Sequence, residues 1–220
     1  MSILGSEKIG DNTVSGRLAD RSVEAARERA AREVEQLLRA AIRVMSRRSG
    51  VLTVADVLEE AGLSTRAFYR HFASRDELVL AVYESEQQRS VARLVDAVAA
   101  APGSRDAVAA WIDEHLALGF DSRRAARTRV LAAEGARLRV EFPEHVETTL
   151  VALLAPLVDA IRRGIADRTF VEVDARLTAR SIHAVVWELV QQRLDGTASV
   201  TLDAARDHAV DFCLRALGAA

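Results

Sequence analysis

Residues 53–77, TVADVLEEAGLSTRAFYRHFASRDE, decide how the rest of the chain is read. Val54, Val57, Leu58 and Ala61 recur at i, i+3, i+4 and i+7, the spacing of one face of a short helix. Thr53 stands at the N-cap with Asp56 three residues on. Gly62 ends the helix, because glycine enters the left-handed conformation after a helix without a Cβ clash. Ser64 caps a second helix almost at once, and in it Phe68 and Phe72 lie one turn apart, toward the first helix. Thr65, Arg66, Tyr69 and Arg70 are left on the other side, facing water or a partner. Ser74 with Glu77 is a further capping box, so a third helix begins with Arg75 in its first turn.

Two short helices joined by a glycine turn make the helix-turn-helix unit, whose second helix enters the major groove of DNA. The outward residues have the chemistry for it, with arginines for phosphates or guanine edges and a hydroxyl and a phenol for phosphate oxygens. The alternative is a helical hairpin whose arginines are merely solvated. Turn glycine, caps, paired aromatics and short spacing occurring together argue against it.

The stretch resembles the TetR (tetracycline-repressor) family of bacterial regulators. The resemblance rests on Thr53-Val54-Ala55-Asp56, Ala61-Gly62-Leu63-Ser64, Phe68-Tyr69-Arg70-His71-Phe72 and Ser74-Arg75-Asp76-Glu77-Leu78, and its specific motifs lie within residues 28–85. It implies an all-α fold, in which an N-terminal three-helix DNA-binding domain is joined to a larger helical ligand-binding and dimerisation domain. It also implies roles for single residues. Thr53, Ser64 and Tyr69 would contact phosphates, Arg66 with Thr65 and Arg70 would reach bases, His71 would lie near the DNA backbone, and Arg75 would grip a phosphate. Arg75 stands where the family usually has Lys, which preserves the charge; Leu58 stands where a small Ala is common, which shifts packing.

At 220 residues, half of them apolar, the chain has room for one large or two modest domains with a sizeable core. Few β-branched runs and three prolines leave long helices as the default. The formal charge of −2 hides an asymmetry: residues 17–75 hold twelve arginines against eight carboxylates, while residues 76–220 carry a net −5. Basic charge thus gathers around the helix-turn-helix, as a phosphate-binding segment needs. All but one of the 30 cations are arginine, a bias that makes any single arginine less diagnostic.

Cys213 is the only cysteine, so no disulfide forms within the chain and no CxxC metal site exists. The longest charge-free run, Thr148 to Val158, has eleven residues, too short to span a bilayer, and Met1 to Asn12 lacks the apolar core of a signal peptide. The expectation is a cytoplasmic protein without a membrane partner. Enzyme signatures fail on spacing. No carboxylate stands three residues before any histidine, as a helical di-iron site requires; Gly5 and Gly10 have P-loop spacing but are followed by Asp11-Asn12. No cofactor or metal is implied, and the chain reads as no enzyme. An all-helical catalyst using the histidines and glutamates of the second half is kept as an alternative, and so is an effector-free DNA-binding protein.

Taken in order, residues 1–21 read as a flexible arm, with Arg17 and Arg21 able to touch a minor groove or with no role at all. Residues 22–83 form the DNA-binding domain, opened by a helix from Ser22 to Arg48 with the stripe Val34, Leu37, Leu38, Ala41, Val44 and Met45. Residues 84–220 form the second domain. A helix from Arg75 to about Ala100 joins the two, until Pro102-Gly103-Ser104 breaks it. Four or five helices follow, with Asp174 as the N-cap of one running to about Leu194 and the last spanning Leu202 to Leu217.

The helix from Asp174 to Leu194 is apolar on two sides: Leu177, Ala184 and Val185 mark one, Ile182, Val186, Leu189 and Val190 another. Such a helix needs cover on both, so a homodimer is expected, with Ile182, Val186, Leu189, Val190 and Phe212 at its interface. Burial within its own domain is the alternative. Dimerisation also fits the DNA reading, because two recognition helices read the two half-sites of a palindrome. For an unidentified small-molecule effector the candidate lining is Trp111, His115, Glu134, His183 and Trp187, the polar or aromatic residues on otherwise apolar helices. The implied mechanism is a two-state switch, in which the effector lowers operator affinity by its differential binding energy, on the order of 1–3 kcal/mol.

Overall fold

Capping chemistry sets most of the helix boundaries. The computed structural model describes residues 14–47, 52–197 and 199–219. Among them are nine helices and no strand: α1 (Val14–Arg47), α2 (Val54–Ala61), α3 (Thr65–His71), α4 (Arg75–Ala100), α5 (Ser104–Phe120), α6 (Ser122–Glu141), α7 (Pro143–Ala166), α8 (Ala175–Leu194) and α9 (Leu202–Ala216). The all-α fold expected from the sequence is the one observed. Two compact units emerge: Met1–Val44 with Val51–Leu78, and Met45–Gly50 with Val79–Ala220. The chain of α4 runs from the first into the second.

In the first unit, Thr53 accepts a hydrogen bond from Asp56 N and donates from its hydroxyl to Asp56 Oδ2 at 2.6 Å. Gly62 closes α2 at φ +65°, a conformation that costs any residue with a Cβ. Ser64 Oγ accepts from Ala67 N at the start of α3. Phe68 and Phe72, 5.7 Å between ring centres, are both buried. They share the core of this unit with Leu37, Ala40, Ala41, Val44, Val57, Ala61 and Leu78. Gln36 of α1 donates to the Ala61 carbonyl at 2.6 Å, which satisfies an end group that α2 cannot satisfy internally.

One boundary differs from the sequence reading. The expected arm over residues 1–21 lies outside the described residues up to position 13, and from Val14 the backbone is already helical. Residues 20–29 are exposed all round, so packing does not hold this stretch. Alanine, arginine and glutamate, which favour helix intrinsically, fill it, and Glu28–Arg32 and Glu35–Arg39 add pairs one turn apart at 3.3 and 2.8 Å. The expected stop at Ser49-Gly50 lies outside the described residues.

The second unit is built around α5, which touches α6, α7, α8 and α9. Val108, Trp111, Ile112 and Leu116 of α5 are fully buried. Gly119 allows α8 to close in: a Cβ there would lie 3.1 Å from the Val190 carbonyl oxygen. This contact corrects the expected interface. Ile182, Val186 and Val190 belong to the core of their own chain, at 3% exposure or less, with Gly119 of α5 leaving room for α8 to approach at Val190. The other apolar side of α8, with Leu177 65% exposed and Ala184 exposed, is the one left uncovered. No described helix is long and apolar enough to cross a membrane.

Candidate functional sites

The outer side of α3 carries Thr65, Arg66, Tyr69 and Arg70, all exposed. Phe68 supports them from beneath, packed edge-on to Tyr69 at 5.2 Å. Arg66 makes no ion pair among the described residues, so its guanidinium can take a new partner without breaking an old one. Ser64 is exposed at the head of the helix, and Thr53 is exposed at the head of α2. Thr53 has already committed its hydroxyl proton to Asp56.

Three expected contact residues are held more tightly than the sequence suggested. His71 is 9% exposed and points its Nε2 at Glu33 Oε2 of α1, 2.7 Å away. A carboxylate only accepts, so the imidazole N–H donates. Arg70 reaches the same carboxylate at 3.2 Å while remaining half-exposed. The hydrogen bond from His71, with the charge of Arg70 behind it, holds Glu33 below the usual carboxylate range. His71 is therefore a strut between α3 and α1 rather than a surface group. Arg75 is also turned inward, 15% exposed, with Nε on the Leu52 carbonyl at 3.1 Å and Nη1 on Asp76 at 2.9 Å. It ties the start of α4 to the residue before Thr53, the cap of α2. The box at the start of α4 is likewise looser than expected: Ser74 Oγ accepts from Glu77 N, but Glu77 reaches back to Ala73 N.

Glu33 was the residue the sequence hid. It is one of several alternating charges on α1, and only its position one helix away from Arg70 and His71 distinguishes it.

In the second unit four of the five proposed lining residues meet. Trp111 and His115 of α5 stack at 4.6 Å with planes 11° apart; His183 and Trp187 of α8 stack at 6.3 Å and 7°. The two stacks cross, with His115 5.0 Å from His183 and 6.1 Å from Trp187. Trp111 Nε1 donates to the Leu153 carbonyl. His115 is 1% exposed, and neither of its ring nitrogens has a partner. Burial, with His183 beside it, pushes the His115 pKa well down, and burial with the charge of Arg180 lowers His183 to about 4. Both imidazoles are neutral at pH 7.

Glu134 does not join this cluster. It sits on α6 with Arg137 at 3.9 Å. An open surface cleft of about 300 Å³, between Arg162 and Arg176, is lined by none of the five.

A capped two-helix unit with a polar outer row defines a helix-turn-helix DNA-binding protein. Residues 37–82 match the family model described as bacterial regulatory proteins, tetR family. No curated protein matches the sequence. Among solved structures, FadR from Bacillus subtilis in complex with stearoyl-CoA is similar at TM-score 0.68 and 18% identity, over 81% of this chain and 96% of that one. A putative TetR-family regulator from Mesorhizobium loti is similar at TM-score 0.69 and 16% identity, over 86% and 98%. Escherichia coli NemR in its reduced form gives 0.67 and 17%, over 86% and 99%. These likenesses establish the fold. With the match over residues 37–82, the helix-turn-helix segment is that of the tetR family of bacterial regulatory proteins.

Proposed function

We propose that the chain is a dimeric repressor whose operator affinity is set by a small-molecule effector. The observation that carries this reading is the outer row of α3, where Thr65, Arg66 and Tyr69 are exposed on a short helix braced by buried Phe68 and Phe72. Arg66 is the base-reading residue, with Thr65 beside it; Ser64, Tyr69, Arg70 and Thr53 hold phosphates. His71 acts as a positioning residue through Glu33. Arg75 takes a phosphate by exchanging Asp76 for it while Nε stays on Leu52.

The dimer reading is supported by the uncovered side of α8 and by α9, where Leu177, Ala184 and Phe212 are exposed, Phe212 by 48%. Apolar residues this open on neighbouring terminal helices mark an association surface. Leu189, half-buried, flanks it. A symmetric pair through this surface presents two copies of α3 to two half-sites.

Effector response is supported by the way α4 is tied into the second unit. Glu84 pairs with His145 of α7, Glu86 with Arg127 of α6, and Arg93 with Glu114 of α5. A ligand that repacks α5 or α6 therefore acts on α4, whose first turn belongs to the DNA-binding unit. Its effect equals its preference for one of the two arrangements.

The test is selection of bound fragments from genomic DNA by the purified chain, followed by titration of the selected site. The reading expects a two-fold symmetric site, and Arg66→Ala is expected to lose about 1–3 kcal/mol on that site and little on random DNA. Equal loss on every sequence contradicts the base-reading role. Turnover of a ligand by the purified chain would favour an enzyme instead.

A further inference from the structure

A buried histidine with two unpartnered nitrogens is an expensive way to fill a core. The neutral imidazole carries one N–H donor and one lone pair, and burial without partners costs both. Phenylalanine or leucine would fill the same space on α5 without that cost, and every other fully buried large side chain in the second unit is apolar except Trp111, whose indole N–H is satisfied by Leu153. His115 therefore holds a donor and an acceptor in reserve, among rings.

The surroundings limit what can use them. Trp111 covers one face of His115, and His183 and Trp187 stand edge-on to it. The inner stack is closed, whereas His183 and Trp187 are only partly buried, so the outer stack is the side from which a molecule can enter. The two stacks are flat and nearly parallel within themselves. A planar ring extends the outer stack with offset or edge contacts, while a bulky aliphatic frame does not. Among the described residues no carboxylate or guanidinium is paired with the inner rings; Arg180, which His183 feels, is engaged by Glu147. A charged ligand would give up its hydration there without a counter-charge.

We infer that the crossed stacks of Trp111, His115, His183 and Trp187 are a binding site for an uncharged, planar aromatic molecule bearing a hydroxyl that pairs with one ring nitrogen of His115, accepting from its N–H or donating to its lone pair. This deepens the proposed function by naming the class of effector, and it rests on that reading for its regulatory meaning. The ligand enters from the side of the outer His183–Trp187 pair, and specificity comes from the hydroxyl, because only a group that can pair with the imidazole relieves one of its two orphaned nitrogens.

The chain's two tryptophans are both in this cluster, so intrinsic tryptophan fluorescence reports on it directly. Full-length protein is titrated with 1-naphthol, naphthalene and 2-naphthoate, which share a ring system and differ in hydroxyl and charge. 1-Naphthol is expected to quench saturably and to bind at least about tenfold more tightly than either of the others. In His115→Phe the preference for 1-naphthol over naphthalene is expected to vanish; in His115→Gln, which keeps a donor and an acceptor, part of it returns. Equal affinity for the three probes in the wild type overturns the inference, as does absence of quenching, or a preference that survives in His115→Phe. The wild-type comparison decides even if a variant fails to fold. Binding to the selected DNA site is measured on the same sample. Specific DNA binding without probe selectivity defeats this inference alone, whereas probe selectivity without specific DNA binding defeats the regulator reading alone.

Discussion

Replacing His115 by phenylalanine should make the unliganded protein more stable, although the side chain lies in the core. The imidazole is 1% exposed and both its nitrogens are unpartnered. A buried polar group left without a partner costs about 1–3 kcal/mol. Phenylalanine removes both at once and keeps a ring against Trp111, stacked at 4.6 Å in the wild type. One extra ring atom in a packed site subtracts part of the gain, because overpacking costs roughly 1 kcal/mol or more. The expected net is a stabilisation of about 1–2 kcal/mol at pH 7.5, or roughly 2–4 °C in Tm per kcal/mol for a chain of this size.

Acid should widen the difference. As pH falls below 6.5, His115 takes a proton in the unfolded chain but resists it when buried, so the wild type loses stability that the variant keeps. The assay is urea unfolding of both proteins at pH 7.5 and 5.5, with His115→Ala as a control expected to lose stability by leaving a cavity. A His115→Phe protein less stable than wild type by more than about 1 kcal/mol would refute the argument, since it would mean that the ring nitrogens are paired in solution.

Further expectations follow from the same contacts. Gly62→Ala meets no atom within 4 Å, so its cost is the left-handed backbone alone, about 1–2 kcal/mol in urea unfolding, with no change in fold. His183, at about 4, adds a second acid-sensitive group: stability should fall between pH 6.5 and 4 by at most about 3 kcal/mol, and His183→Phe should flatten that slope. Arg75→Ala should cost about 1–2 kcal/mol of folding stability through the lost Leu52 bond and should also weaken binding to all DNA alike, with a shallower salt dependence. Leu177→Glu should leave the fold intact and split the dimer in sedimentation, whereas Val190→Ala, fully buried, should cost about 2 kcal/mol without changing the oligomer.

The caps made the DNA-binding unit legible from sequence, because they are local. Thr53, Gly62 and Ser64 act on backbone groups within a few residues of themselves, so their spacing alone announces two helices and the turn between them. The stripe Leu37, Ala41 and Val44 was legible for the same reason. What could not be read was the choice among partners distant in sequence. Arg75 was expected outward, but the Leu52 carbonyl lies 23 residues back, and nothing in the local pattern announces it. His71 turned inward because Glu33, 38 residues away, offers a carboxylate. In α8 both apolar sides were visible. The room that Gly119 of α5 leaves at Val190 makes no mark in the pattern of α8. The cluster of Trp111, His115, His183 and Trp187 was found by residue type; that Glu134 sits outside it on α6 was beyond a one-dimensional reading.

The central claim is that the outer row of α3 reads DNA twice, through a pair of chains. Hydroxyl-radical footprinting of the selected fragment, with the protein's mass measured in the same buffer, tests it most directly. The account predicts a dimer protecting two symmetric half-sites centred about one helical turn, or a whole number of turns, apart, with the footprint weakened at the same base in each half by Arg66→Ala. A monomer that protects DNA without symmetry, or a footprint unchanged by Arg66→Ala, would contradict it.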